Sequence, residues 1–172
     1  MGGNKKDHFK EDQERELPGI ESLNALNASM EHEEQVQRHI EKGNLTPDEV
    51  ALYIMQNGST GQKISMLQHL SRTIGVIDDQ KISQLLSELC DALWTQDIEL
   101  QKAAPDSLVT LLPLIKEQHV LALLAGARTM LEVRTIEVRS KWSTLALELI
   151  KFLQPSLIIS DVVPMALKKG DH

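Results

Sequence analysis

The amino-acid sequence predicts an all-α protein in which about three helical hairpins follow an N-terminal helix and an acidic tail. Composition is the first reason, because hydrophobic residues make up 41% of the 172 residues but aromatic residues only 3%. A core of Leu, Ile, Val, Met and Ala with few large rings favours helices. The second reason is a self-similarity with a period of 38 residues. Periods close to this size are typical of stacked helical repeats.

The N-terminal region carries most of the negative charge. Residues 1–50 contain 6 Lys and Arg against 12 Asp and Glu, a net charge of −6, whereas residues 51–172 contain 12 against 13, a net charge of −1. After Met1, residues 1–19 have only Phe9 and Leu17 as large apolar side chains. This segment cannot bury enough surface to offset its ordering entropy, so we predict a disordered acidic tail at 1–19.

Residues 20–45 are predicted to form a marginal helix followed by a linker. The helix ends at Gly43-Asn44, and its narrow, polar-flanked apolar stripe consists of Ile20, Leu23, Leu26, Met30, Val36 and Ile40. A firmer helix begins at Thr46, because Thr46 and Glu49 match a capping box and Pro47 suits the first helical position. Gly58 is expected to end this second helix.

Three segments after Gly58 align without a gap. They are QKISMLQHLSRTIGVI (62–77), LQKAAPDSLVTLLPLI (100–115) and VRSKWSTLALELIKFL (138–153), and each lies 38 positions after its predecessor. Apolar residues coincide in columns that continue beyond these segments: Leu70, Leu108 and Ala146; Ile74, Leu112 and Ile150; Val76, Leu114 and Phe152; Ile77, Ile115 and Leu153; Ile82, Val120 and Ile158; Leu86, Leu124 and Val162. The alignment divides a repeat domain at 46–172 into units of about 59–96, 97–134 and 135–172.

Each unit contains two apolar stretches of helical period, separated by a short polar break. Asp79, Glu117 and Pro155 share one position in these breaks. The acids suit a helix N-terminus because of the helix dipole, and proline suits it because no donor is needed there. A single hairpin leaves an apolar face that only the next hairpin covers. We therefore predict helices at 46–57, 62–76, 80–94, 98–114, 118–132, 136–153 and 157–167.

The second and third units resemble HEAT repeats. In DIELQKAAPDSLVTLLPLI (97–115) and TIEVRSKWSTLALELIKFL (135–153), an acidic residue precedes an apolar residue, then Gln or Arg, small residues and a Leu-rich helix. The stretch DVVPMAL (161–167) is similar to the family's Ile-Leu-Pro-x-Leu motif, and the period is similar to that of compact phosphatase scaffold repeats. The resemblance implies a HEAT/armadillo-like α-solenoid.

The resemblance also implies a non-catalytic scaffold or regulatory subunit that binds a protein serine/threonine phosphatase complex. In such proteins, partners dock along the turns between the two helices of each repeat. The candidate partner-binding residues are those turn residues and one tryptophan predicted to be exposed: Asp78, Asp79, Lys81, Lys116, Glu117, Gln118, His119 and Trp94. Ordinary solvated turns would show the same mixture of charges, and this alternative stays open.

Two other function classes were compared with this interpretation. The first is another HEAT-type adaptor, which would act in transport or on the cytoskeleton. A cytoskeletal module of this kind carries Trp and Lys on successive turns, and these turns have no Trp. A HEAT-like DNA glycosylase is the other; it requires a basic groove with an acidic residue and tryptophans. The near-neutral repeats and two tryptophans argue against nucleic acid as the partner.

Residues with catalytic or metal-binding chemistry do not occur in the expected patterns. None of the 6 histidines forms an HxxxH or HExxH pair, and the single Cys90 lacks a CxxC partner, so we expect no enzyme activity, no metal and no cofactor. Cys90 lies beside Glu88 and Asp91, and we predict a buried, unreactive thiol. Trp142 aligns with Met66 and Ala104 and is predicted to lie in the core.

The expected location is cytoplasmic, with the nucleus as the alternative. No run of about 18 apolar residues and no signal-peptide core occurs, so no membrane association is expected. Residues 157–167 contain eight apolar residues in eleven positions. A helix that is apolar on most sides requires a cover, so we expect the isolated chain to self-associate through this C-terminal edge.

Overall fold

The computed structural model describes residues 19–157 of the chain. This part is a packed helical bundle of eight α-helices with one short 3-10 turn at Leu112–Leu114, and it contains no strand. The helices are α1 Ile20–Lys42, α2 Pro47–Asn57, α3 Thr60–Gln68, α4 Leu70–Ile74, α5 Asp79–Leu93, α6 Ile98–Val109, α7 Glu117–Met130 and α8 Ile136–Leu157. The all-α prediction is confirmed here. The predicted acidic tail and all but the first residue of the predicted helix at 157–167 lie outside the described residues.

Short polar residues fix several helix ends. Ser59 forms a capping box with Gln62, since the Ser59 Oγ accepts from the Gln62 amide at 3.2 Å and the Gln62 side chain accepts from the Ser59 amide at 3.0 Å. Asp78 caps α5 by accepting from the Lys81 amide at 2.8 Å. The predicted end of α1 is confirmed, because Asn44 adopts the left-handed conformation with φ 49°.

The predicted capping box before α2 is wrong in its hydrogen bonds. Pro47 does occupy the first turn of the helix, as predicted. The Thr46 side chain, however, makes no capping bond to the backbone. Its hydroxyl instead donates to the Glu49 carboxylate at 2.7 Å, so the two side chains satisfy each other.

Three predicted helix boundaries are also wrong. The helix predicted at 62–76 is interrupted at His69, where the Ser65 carbonyl oxygen accepts from the His69 amide at 3.1 Å and is 2.8 Å from the ring Nδ1. The helix predicted at 98–114 ends at Val109. Pro113 has no amide hydrogen to donate to the Val109 carbonyl oxygen four residues earlier, and its ring would clash with that carbonyl group in a continuing helix. One period later Lys151 takes the place of Pro113, so α8 continues to Leu157 through the predicted break.

The helices pack on one another in two sets. In one set, α6 contacts α3 and α8; in the other, α5 contacts α2 and α7. Contacts between α7 and α8 and between α2 and α3 join the two sets, and α1 contacts α2. The interface between them is almost entirely apolar, and its fully buried side chains include Leu85, Leu86, Leu89, Leu93, Leu100, Leu108, Leu123 and Trp142. The core predictions for Trp142 and Cys90 are thereby confirmed.

Among the aligned apolar columns, one is buried and one is exposed in all three units. Leu70, Leu108 and Ala146 are buried in all three units. The column of Val76, Leu114 and Phe152 is exposed in all three, at 69%, 56% and 41%. Val76 and Leu114 lie beyond the ends of their helices, whereas Phe152 lies within α8; all three contribute apolar surface rather than core.

Candidate protein-binding surface

An ion pair joins the turn before α5 to the turn before α7. The Lys116 Nζ atom lies 2.5 Å from the Asp79 Oδ2 atom, although the two residues are 37 positions apart. This hydrogen bond from Lys116 holds the pKa of the Asp79 carboxyl below its ordinary value. The two predicted turns therefore lie side by side in the fold.

The buried side chain of His119 also joins these two turns, and we call this arrangement the His119 clamp. Its side chain is only 1% exposed. The Lys116 amide donates to His119 Nδ1 at 2.9 Å, so Nε2 carries the proton and donates to the Asp79 carbonyl oxygen, also at 2.9 Å. Sequence reasoning placed His119 among the partner-binding residues, but the structure places its side chain inside the protein. It can act on a partner only by positioning Asp79 and Lys116.

The residues of these two joined turns whose side chains reach solvent make up a surface that we call the turn ridge. It comprises Val76, Asp78, Asp79, Lys81, Leu114, Lys116, Glu117 and Gln118. Apart from the half-buried Asp79, these residues are exposed. Val76 and Leu114 were assigned by sequence to an apolar repeat column and not to the site. Each lies two positions before a polar break, but the residues in between, Ile77 and Ile115, are more buried, so closeness to a break was not a sufficient signal.

Trp94 is exposed, as predicted, but it does not lie on the turn ridge. It follows the last residue of α5, a helix of 15 residues that begins at Asp79. At 1.5 Å per residue, the two ends of α5 are about 22 Å apart. Around Trp94, Lys63 donates to Gln96 at 2.6 Å, and Gln101 donates to the Trp94 carbonyl oxygen at 3.2 Å. Trp94 therefore belongs to a separate surface.

A groove of about 660 Å³ runs between α6 and α8. Two ion pairs cross it: Lys102 lies 2.5 Å from Glu137, and Lys141 lies 3.3 Å from Asp106. The hydrogen bond from Lys102 holds the pKa of Glu137 below its ordinary value. Sequence reasoning missed this groove, although opposite charges 35 positions apart occur twice here. The charges of these two pairs cancel, and the remaining charged residue of the lining, Glu148, pairs with Lys151 at 3.3 Å.

Cys90 has the properties of a structural thiol. Burial raises its pKa to about 12, and the neighbouring Asp91 carboxylate acts in the same direction. The thiolate, which is the nucleophile and metal ligand, is therefore suppressed at neutral pH. Among residues 19–157, no cluster of three or more His, Cys, Asp or Glu side chains is arranged to hold a metal ion.

None of the helices in the described part of the chain combines the length and apolarity that crossing a membrane requires. Comparison with known proteins gives no assignment either. No family model matches the chain, and neither a curated protein nor a solved structure matches it.

Proposed function

We propose that this chain is a HEAT-type α-solenoid segment that serves as a non-catalytic scaffold or regulatory subunit of a protein serine/threonine phosphatase complex. The observation that carries the proposal is the spacing of its long-range contacts. From α3 onward, six side-chain hydrogen bonds join residues 33 to 41 positions apart that lie in different helices or in the turns beside them. The exceptions are the short-range bonds from Gln101 to the carbonyl oxygens of Leu93 and Trp94, which join α6 to the end of the helix just before it. The separations of the six long-range bonds bracket the 38-residue period found in the sequence.

Contacts at this spacing are what repeat stacking requires. In a solenoid, each unit touches only its neighbours, so long-range contacts cluster near one repeat length. The packing of α6 on α3 and α8, and of α5 on α2 and α7, follows the same rule. The α1–α2 pair then corresponds to an additional unit before the three that the sequence alignment contains. The unequal helix breaks at His69 and Pro113 modify the units without changing this order.

The turn ridge suits protein docking. It combines two exposed aliphatic side chains, Val76 and Leu114, with charges of both signs that the His119 clamp holds in place. Apolar anchors surrounded by polar groups supply affinity, while the charges set register and approach. The ridge lies where partners dock in the scaffolds that the sequence resembles. Ridge residues that are merely solvated would contribute nothing measurable to binding.

The phosphatase assignment depends on the resemblance of the sequence. Among such proteins, the chain resembles the N-terminal part of protein phosphatase 4 regulatory subunit 4. The positions that carry this resemblance are Gly58, Glu99, Gln101, Ala103, Ala104 and Leu108. Gln101, Ala104 and Leu108 are buried, so they describe helix packing rather than partner choice. Direct binding must therefore decide the partner.

Binding to a purified serine/threonine phosphatase catalytic subunit tests the proposal. We expect the immobilised chain to retain the subunit, and Val76→Glu combined with Leu114→Glu to weaken binding by about tenfold or more, as loss of a hot spot does. Ile98→Glu is the matched control, because Ile98 is an equally exposed aliphatic residue at the opposite end of α6. No retention by the wild-type chain, or equal loss with the control, contradicts the proposal.

The alternative functions predict other outcomes. Capture of a transport or cytoskeletal protein through the same ridge would assign the chain to another class of HEAT-type adaptor. For a DNA glycosylase, Trp142 is unsuitable, because its side chain is fully buried and its indole nitrogen donates to the Gln101 carbonyl oxygen at 2.8 Å. Only Trp94 remains as an exposed tryptophan, and no observation favours that reading.

A further inference from the structure

The N-terminal half of α1 presents an apolar stripe that nothing in the described structure covers. Leu23, Leu26 and Met30 follow one another at helical spacing and are 44%, 55% and 54% exposed. Further along α1, Val36 is buried, and α1 is held by a hydrogen bond from Gln62 to the Glu33 carbonyl oxygen at 3.1 Å. The second half of α1 thus docks on the bundle, and the first half does not.

The repeat period identifies which side of the helix this stripe occupies. Three periods of 38 residues separate Leu23, Leu26 and Met30 from Glu137, Ser140 and Thr144. Those three residues line the groove on the side of α8 that faces α6. The stripe on α1 therefore occupies the side that, in α8, contacts the preceding helix of the stack. In α1 that side is apolar, and no helix within residues 19–157 covers it.

α8 also has an uncovered apolar side, but it is the other side of the helix, which faces away from α6. Pro105 and Val109 line the groove from the α6 side, and Leu112 packs against the core. One period of 38 residues later, these positions become Ser143, Leu147 and Ile150, and all three are exposed. Leu147 and Ile150 are 60% and 45% exposed. The side of α8 that corresponds to the covered side of α6 is therefore not covered by any helix within residues 19–157.

Charge also differs between the two open ends. Residues 20–35 contain four glutamates and neither Lys nor Arg. At the other end, Arg139 on α8 and Arg128 on α7 are exposed. Arg128 lies one period after the buried Cys90, so it marks the position that a following helix would cover. Arg128 shares its site with the exposed Glu132, so Arg139 is the positive charge that complements the glutamates beside the α1 stripe.

We propose that a second copy of this chain docks end to end, with the α1 stripe of one copy packed on the open side of α8 in the next. This inference rests on the repeat stacking of the proposed function but concerns different residues from the turn ridge. The contact would continue the stack in the same register. Such a contact joins two different surfaces, so it forms an open chain of copies unless the rotation closes a ring.

Sedimentation and light scattering of the full chain over a concentration series test this proposal. The wild-type mass is expected to rise with concentration. Leu26→Glu removes the α1 surface and Ile150→Glu removes the α8 surface, so each variant is expected to remain monomeric to at least about tenfold higher concentration. A mixture of the two variants retains one intact pair of surfaces. It is expected to form a dimer with one copy of each variant and nothing larger.

Val76→Glu is the matched control, since it places the same charge on an exposed aliphatic position of the turn ridge. It should leave self-association unchanged, whereas Leu26→Glu should leave phosphatase binding unchanged. Arg139→Glu gives a second, purely electrostatic variant, which should weaken association most at low salt. A wild-type chain that is monomeric throughout overturns the proposal, and so does failure of the mixed variants to pair. Association that appears only when residues 158–172 are deleted also overturns it, because those residues would then be the occupant.

Discussion

The Trp142 indole nitrogen donates a hydrogen bond of 2.8 Å to the backbone carbonyl oxygen of Gln101. That carbonyl belongs to α6, where its regular partner would be the amide of the residue four positions later. This residue is Pro105, which has no amide hydrogen. Trp142 of α8 thus supplies the donor that Pro105 of α6 lacks. The hydrogen bond that is missing within α6 is replaced by one between α6 and α8.

Replacing Trp142 with Phe is expected to destabilise the protein by more than the lost ring volume. The Gln101 carbonyl oxygen would be buried without a partner, which costs about 1–3 kcal/mol. Urea unfolding followed by circular dichroism measures the change. In a Pro105→Ala background the new amide can satisfy Gln101 within α6, so Trp142→Phe should then cost about 1 kcal/mol less. Equal costs in both backgrounds would mean that the hydrogen bond contributes nothing.

Local sequence signals predicted the helices well but not their interruptions. Ser59 and Asp78 cap helices because the necessary donors lie three residues away, and this information is local. α8 continues because the repeat position that holds Pro113 in the second unit holds Lys151 in the third. The alignment compared only apolar residues, so it did not take this difference into account. The break at His69 depends on how its own ring and amide share the Ser65 carbonyl oxygen.

Prediction of the site had a different limit. Which turn residues are exposed depends on how neighbouring units pack, and that information is distributed over residues about 40 positions apart. His119 looked like a solvated turn residue because its two partners, Lys116 and Asp79, come from two different turns. Val76 and Leu114 looked like core because apolar periodicity does not show where a helix stops. The exposed position of Trp94 was predictable because it follows the end of a helix.

Gly126 is expected to tolerate no side chain. A β-carbon added there would lie 2.6 Å from the Cys90 Sγ atom, where α7 crosses α5. Gly126→Ala should therefore destabilise the protein by about 1–3 kcal/mol through overpacking. Gly61→Ala in α3 is the control, because the nearest atom to its added β-carbon is the Ser59 Oγ at 3.9 Å. That control should be neutral or slightly stabilising in thermal unfolding, and a destabilised Gly61→Ala would argue against the packing explanation.

The buried Cys90 thiol predicts a loss of stability at alkaline pH. Its pKa is raised from 9.0 to about 12 in the folded protein. The unfolded chain ionises first as pH rises above 9, so this contribution is fully present below pH 9 and lost between pH 9 and 12. The free energy of unfolding of the wild type should fall more steeply in this range than that of Cys90→Ala. Parallel pH profiles for the two proteins would show that the thiol is not held in its neutral form.

The clamp made by His119 should be essential for the turns that it joins, whereas the exposed ion pair above it should not. His119→Phe keeps an aromatic ring in the buried site but removes the acceptor of the Lys116 amide and one donor to the Asp79 carbonyl oxygen, which keeps its place in the α5 helix. The loss of both hydrogen bonds of a fully buried side chain is expected to cost about 1–3 kcal/mol in total, so the unfolding midpoint should fall clearly. Lys116→Ala removes only an exposed charge, and the exposed ion pair is screened by water and salt, so the midpoint should stay within error of the wild type.

Amide hydrogen exchange locates the effect: in His119→Phe, protection should fall first at the N-terminal turns of α5 and α7. A variant that loses protection elsewhere, or a Lys116→Ala variant as unstable as His119→Phe, would assign the joining of these turns to the ion pair or to other contacts.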